Sequence, residues 1–244
     1  MTLTLPGKRK PYVMAHRGNR VACPENTLAA FRRALADGAD LLETDLHLSR
    51  DGAFVCIHDA TVDRTTDGRG AVADQTVAEL KAWSAGCGRP EFAAERIPLL
   101  DEVAALLPAD RVLALELKCD RFLEPEIARR LAETLSRLGI RTRTILLSFS
   151  LARVQAVRAV APDLLAGYIT LNDPLPLRDA AMFGPLWPLL LVNPLYVALA
   201  HRRGRVVCPL APAPDGRLWL YRLLGCDAVL TDDPAATLKA LGRR

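Results

Sequence analysis

Hydrophobic residues in this chain fall into short apolar runs, and these alternate with amphipathic stretches of helical period. Tyr12 to Ala15 reads as a short strand. Asn26 to Asp37 reads as a helix, with Leu28, Phe31 and Leu35 on one side and Gly38 as its stop. Leu41 to Leu48 has the composition of a strand buried on both faces. Asp51-Gly52 predicts a tight turn, with Ala53 to Ile57 returning as a strand. Residues Asp59 to Arg96 break the rhythm: a Thr- and Gly-rich loop (Arg64 to Gly70), a short helix (Val77 to Trp83) and a Gly-rich stretch (Gly86 to Gly88) suggest an excursion of the kind that carries active-site loops.

Alternation then resumes. Helices are expected over Leu99 to Leu107, Pro125 to Leu138, Leu151 to Val160, Leu195 to Arg203, Leu218 to Leu224 and Ala235 to Leu241, with Leu177 to Phe183 weakly helical. Strands are expected over Arg111 to Leu117, Thr144 to Phe149, Leu164 to Ile169, Leu189 to Asn193, Arg205 to Leu210 and Ala228 to Thr231. Leaving out the returning strand, this makes eight strands interleaved with helices. Such alternation implies a parallel sheet, and at 244 residues it favours closure into a (β/α)8 TIM barrel of the α/β class. No G-x-G-x-x-G follows the first strand, which argues against an open dinucleotide-binding sheet. With no linker or low-complexity tract, a single domain over 1–244 is expected, with a small insertion after strand two at about 48–96.

The barrel reading changes what the polar residues mean, because function in this fold sits at the C-terminal ends of the strands. Glu43 and Asp45 share one face of the second strand, since side chains there repeat every second residue. Two carboxylates on a buried face repel and lose hydration, and a hard divalent cation relieves both problems. Glu116 ends the next barrel strand and offers a third carboxylate, so Mg2+ or Ca2+ is favoured. No cysteine stands among these positions, which makes zinc the weaker choice. Lys118 follows on the same face as Glu116, either serving an anionic substrate or forming an ion pair with Glu116.

His16 and His58 follow apolar strands at the same rim and suggest an acid and a base. Arg17 offers a planar fork for phosphate. His47 is assigned a supporting role at most, His201 reads as a surface helix residue, and Asp232-Asp233-Pro234 as a helix cap. These parts suit phosphodiester hydrolysis: the metal and Arg17 offset charge on the phosphoryl oxygens while the histidines move protons. Which histidine does which, and whether water or a substrate hydroxyl attacks, stays open. A non-catalytic binding barrel, or a metal-dependent aldolase or isomerase on the same fold, are the competing classes.

Composition narrows the partners. Lys plus Arg exceeds Asp plus Glu by four, and no basic run is interleaved with aromatics, so nucleic acid is not an expected partner. The six cysteines form no C-x-x-C pair and read as free thiols, with a cytoplasmic location expected. The start of the chain lacks a signal-peptide core, and prolines break the most apolar stretch, Gly184 to Ala200, so stable membrane insertion is not expected.

His16-Arg17-Gly18, Pro24-Glu25-Asn26-Thr27, Glu43-x-Asp45, Asp51-Gly52, His58-Asp59, Arg64-Thr65-Thr66, Glu116-Leu117-Lys118 and Thr231-Asp232-Asp233-Pro234, in this order, resemble the glycerophosphodiester phosphodiesterase family. The resemblance implies a (β/α)8 barrel with an insertion after strand two. It implies a metal on Glu43, Asp45 and Glu116, an acid–base pair of His16 and His58, and phosphate contacts from Arg17 and Lys118. The implied reaction converts small glycerophosphodiesters to glycerol 3-phosphate and an alcohol. A lysophospholipase D-like reaction on acylated substrates is the alternative. The chain departs from the family on its seventh strand. Where the family carries a tryptophan followed by Thr-Val-Asn, this chain has Val207-Cys208-Pro209-Leu210, and Trp219 on the next helix is no evident replacement.

Overall fold

The computed structural model describes residues 3–243. The first repeat is β1 (Tyr12–His16) and α1 (Leu28–Ala36), the helix capped by Thr27, whose side chain accepts from the Ala30 N–H. β2 (Leu41–Leu48) follows, wholly buried, and β3 (Phe54–Cys56) returns antiparallel to it. The insertion carries α2 (Val77–Ala82), whose N-terminus is a capping box of Thr76 and Glu79. The insertion packs through its own small core, including Val55, Ile57, Val62, Val72, Leu80 and Ile97.

The regular units continue with α3 (Leu100–Leu106), β4 (Val112–Leu117), α4 (Pro125–Arg137), β5 (Thr144–Ser148), α5 (Leu151–Val160) and β6 (Leu165–Thr170). The last part holds β7 (Met182–Pro185), α6 (Leu189–Val192), α7 (Tyr196–His201), β8 (Val206–Val207), α8 (Leu218–Leu224), β9 (Ala228–Thr231) and α9 (Pro234–Ala240). Eight strands pair in parallel in the order β8-β7-β6-β5-β4-β2-β1-β9, with β3 off that path on β2. The sheet curves into a nearly closed barrel.

Three expectations are corrected here. The weak helix over Leu177 to Phe183 is not formed: Met182 and Phe183 belong to β7, which pairs with β6, and the connection before it is non-helical. Pro174 and Pro176 withhold backbone donors from that connection. The strand over Leu189 to Asn193 is instead the single turn α6, because β7 already fills the slot beside β6. A short apolar run does not by itself distinguish a strand from a buried helix. The strand over Arg205 to Leu210 shrinks to β8, extended only by a parallel bridge between Leu186 and Leu210. Pro209 lacks the N–H that a longer ladder needs.

Between β8 and β9 a side chain substitutes for the ladder. The Asp227 N–H donates to the Val207 carbonyl at 2.9 Å, and its carboxylate accepts from the Val207 N–H at 2.8 Å. The same carboxylate pairs with Lys10 and accepts from His201 Nε2 at 2.9 Å, at the surface end of α7.

Period two then sorts each strand. Outward residues such as Leu42, Leu46, Leu113, Leu115 and Leu146 pack under the helices. Inward residues such as Tyr12, Met14, Leu41, Val112, Ala114, Ile145, Ile169, Met182 and Leu230 fill the barrel. Continuing the inward register toward the strand ends brings up His16, Glu43, Asp45, Glu116 and Asp232. No helix among the described residues is long and apolar enough to cross a membrane.

Candidate active site

The turn after β1 sets the first wall of the site. Arg17 and Gly18 both adopt left-handed backbone, at φ 58° and 80°. A Cβ on Gly18 would lie 2.6 Å from the Ala30 carbonyl carbon, so only glycine lets α1 come this close. Arg17 has no such freedom, and its conformation is a strained one for a side-chain-bearing residue. The turn aims the Arg17 N–H at Glu43 Oε2, 3.0 Å away.

Glu43, Asp45 and Glu116 converge as expected, each offering an oxygen within 4.8 Å of the others, and all three are buried. Asp45 Oδ2 accepts from Asn26 Nδ2 at 2.9 Å, whereas Asp45 Oδ1 is buried without a hydrogen-bond partner. Burial and repulsion from Asp45 and Glu116 hold the Glu43 carboxyl well above its ordinary range. Glu116 is raised for the same reasons, burial first and Asp45 second, with Lys118 opposing. A crowded set of hard oxygens with one orphaned lone-pair site fits a divalent cation. The acidic triad could therefore hold a metal ion.

Both histidines have a carboxylate behind them. His16 Nδ1 lies 2.7 Å from Asp232 Oδ1, and His58 Nδ1 lies 2.6 Å from Asp59 Oδ1. A carboxylate accepts from Nδ1–H, which leaves the lone pair of each ring on Nε2. His58 Nε2 receives a hydrogen bond from the Lys118 ammonium at 3.1 Å. Burial lowers the His58 pKa, with Asp45 and Asp59 opposing. His47 Nε2 lies 3.1 Å from the His58 carbonyl.

The cations are more committed than expected. Lys118 pairs with Glu116 Oε1 at 2.9 Å and stands 3.6 Å from Asp45 Oδ1. Arg17 donates to Glu25 Oε1 at 3.0 Å and approaches Asp45 Oδ2 at 3.2 Å. Glu25 also takes Arg20 and Arg64, and these cations, Arg64 above all, outweigh its burial and hold its carboxyl at about 2. Arg64 in turn braces Asp59, so the insertion loop is tied to the His58 partner.

Two functional candidates were missed in the sequence. Asp232 is not a helix cap: Asp233 alone caps α9, accepting from the Ala236 N–H, while Asp232 faces His16. Period two from Ala228 through Leu230 to Asp232 was the available signal. Glu25 belongs to the Pro24-Glu25-Asn26-Thr27 motif, and nothing in its spacing shows that three arginines from two loops reach it.

Above the acids opens a cleft of about 420 Å³. His16, Arg17, His58 and Glu116 line one part of it, and Phe149, Leu186, Trp187, Leu210 and Arg217, from the β5, β7 and β8 connections, line the rest.

Residues 16–236 match the glycerophosphoryl diester phosphodiesterase family. A glycerophosphodiester phosphodiesterase of Caldanaerobacter subterraneus subsp. tengcongensis is 37% identical over 92% of this chain and 95% of its own length. This chain belongs to the glycerophosphoryl diester phosphodiesterase family. Among solved structures, an Oleispira antarctica phosphodiesterase in complex with the product sn-glycerol-3-phosphate superposes with TM-score 0.84 at 29% identity. That match covers 95% of this chain and 97% of the other. The Agrobacterium tumefaciens glycerophosphodiester phosphodiesterase gives TM-score 0.80 at 26% identity, covering 93% and 99%. The barrel expected from alternation and the family expected from motifs are both borne out, and the protein is a phosphoric diester hydrolase.

Proposed function

We propose that this protein hydrolyses glycerophosphodiesters to glycerol 3-phosphate and an alcohol, with a divalent cation on Glu43, Asp45 and Glu116 and proton transfer by His16 and His58. One observation carries the reading: three buried carboxylates, one with an orphaned oxygen, converge beneath two carboxylate-backed imidazoles in a single cleft. Names of relatives agree with it, since several of them are glycerophosphodiester phosphodiesterases and one was solved with sn-glycerol-3-phosphate.

A bound Mg2+ or Ca2+ would supply Lewis-acid polarisation of a phosphoryl oxygen. The chain's own residues do the rest. Arg17, held between Glu25 and Asp45, turns its guanidinium edge to the phosphate. Lys118 adds positive charge beside His58 as negative charge builds on the phosphoryl oxygens. One imidazole takes the proton of the attacking water, or of a glycerol hydroxyl if a cyclic phosphate forms first and water then opens it, and the other returns a proton to the alkoxide as its bond to phosphorus breaks. Asp232 and Asp59 hold the two rings in the Nδ1–H tautomer and stabilise whichever becomes cationic. Six cysteines, unpaired in the structure, support a reducing, cytoplasmic setting.

The test is turnover of glycerophosphocholine by metal-loaded protein, coupled to detection of glycerol 3-phosphate. Release of choline phosphate instead, or full activity in excess chelator, overturns the reading.

A second reading, lysophospholipase D-like hydrolysis of acylated diesters, is favoured by a specific feature. Leu171, Leu175, Leu191, Val192 and Leu195 are exposed on the connections after β6 and β7, and the β7 connection also supplies Leu186 and Trp187 to the cleft. Preferential turnover of lysophosphatidylcholine over glycerophosphocholine would establish it.

A further inference from the structure

One cation in the cleft takes no part in the carboxylate network. Arg217 stands in the turn that enters α8, and its guanidinium lies over Trp187, 4.5 Å from the ring centroid. Its Nη2 donates to the Ala213 carbonyl at 2.6 Å and its Nε to the Tyr221 hydroxyl at 3.3 Å. Among the described residues no carboxylate lies within ion-pair distance of it, whereas Arg17 in the same cleft is shared by Glu25 and Asp45. Stacking and two hydrogen bonds fix the plane of this guanidinium and leave Nη1 without a partner. A fixed, unneutralised planar cation is suited to a carboxylate or phosphate.

We infer that Arg217, stacked on Trp187, is a subsite for a second anionic group, a carboxylate or a phosphate, on the alcohol part of the substrate. The inference rests on the proposed hydrolysis of glycerophosphodiesters and deepens it. The glycerol half of such a diester has no ionisable group, so a second charge must sit on the alcohol. The same geometry works against a quaternary ammonium head group. Its usual aromatic platform would be the Trp187 ring, which Arg217 already covers, and like charges would meet there. The stretch that follows β8, Cys208-Pro209-Leu210, carries no aromatic side chain. Trp187 reaches the cleft from the neighbouring connection after β7, carrying Arg217 with it.

The experiment compares kcat/KM on four diesters of glycerol phosphate under saturating Mg2+. The alcohols are choline, glycerol, glycolate and glycerol 3-phosphate, so cationic, uncharged, carboxylate and phosphate groups are each represented. The expected result is that at least one acidic diester exceeds the choline diester by about tenfold, mainly through KM. Arg217→Gln should lower the acidic-to-uncharged ratio by about tenfold, with Arg217→Lys between the two. The better of the two acidic substrates identifies the anion. A choline diester used as well as both acidic ones, or a ratio that Arg217→Gln does not move, overturns the inference. If even the glycerol diester is not hydrolysed, the parent function fails. Calorimetric binding of the glycolate diester then decides: weaker binding by Arg217→Gln keeps the anion subsite, and equal binding removes it.

Discussion

The arc formed by β1, β2 and β4 and the arc formed by β6, β7 and β8 share one architecture but are built to different tolerances. β2 and β4 are joined by six registered pairs, and β7 and β8 by two. The first arc ends in His16, Glu43, Asp45 and Glu116, cross-braced by Asn26, Glu25 and the insertion loop. Its counterpart ends in proline, leucine and tryptophan, and its connections leave large aliphatic side chains in solvent. Precise placement of like charges needs a stiff frame, because a carboxylate displaced by a fraction of an ångström loses its share of the cation. A pocket for the rest of the substrate needs shape and one or two polar anchors, and short strands with long loops supply these.

The largest break in that comparison is on the stiff side. Glu43→Gln or Asp45→Asn should lower kcat/KM by at least about a thousandfold, as expected for loss of a cation site. Neither variant should unfold the protein, since each removes repulsion from a buried cluster; steady-state kinetics beside thermal melts checks both halves. Chelation should abolish turnover in the parent chain, and adding Mg2+ or Ca2+ should restore it.

His16→Ala and His58→Ala should each cost about a hundred- to a thousandfold in kcat. A diester with a p-nitrophenolate leaving group, which needs no proton, should recover most of the loss in one of the two variants. Equal recovery in both would refute the division of labour between an acid and a base. Asp232→Asn keeps the shape but weakens the hold on His16, and about a tenfold loss in kcat is expected.

The smaller effects concern stability. In the metal-stripped protein the folded pKa of Glu43 lies above the ordinary glutamate value of 4.5. Its neutral form therefore contributes stability that is fully present below that value and is lost as pH rises through the raised one. The stripped parent chain should lose melting temperature relative to Glu43→Gln as pH rises from 4.5 through that raised value. A divalent cation should close the gap, and parallel melting curves of parent and variant would disprove this. On the looser side, Asp227→Ala leaves the Val207 N–H unpaired at the barrel seam. It should destabilise by about 2 kcal/mol in denaturant melts while kcat per folded molecule is preserved.

Local chemistry made much of this legible before any fold was known. Two acids two residues apart in a leucine-rich strand, a third on the next barrel strand and histidines just past apolar runs all depend on period two and on the chemistry of carboxylates and imidazoles. Asp232 was equally accessible by that rule but was masked by its neighbour, because an Asp-Asp-Pro run reads as a cap. The β6–β8 region misled for a different reason. Leu189 to Val192 and Met182 to Pro185 are both short apolar stretches among prolines, and only competition for the slot beside β6 decides which becomes the strand.

What the sequence by itself determined is therefore the barrel, its family and which acids and histidines gather at one rim, since alternation and side-chain period are properties of neighbouring residues. Tertiary structure decided what depends on residues far apart in the chain. Glu25 takes Arg64 from 39 positions on, Asp232 backs His16 across 216 positions, and Asp227 closes the seam. Arg217 stacks on Trp187 in one wall of the cleft. Ring closure brings the two ends of the chain together, and no local pattern records which side chains then face one another.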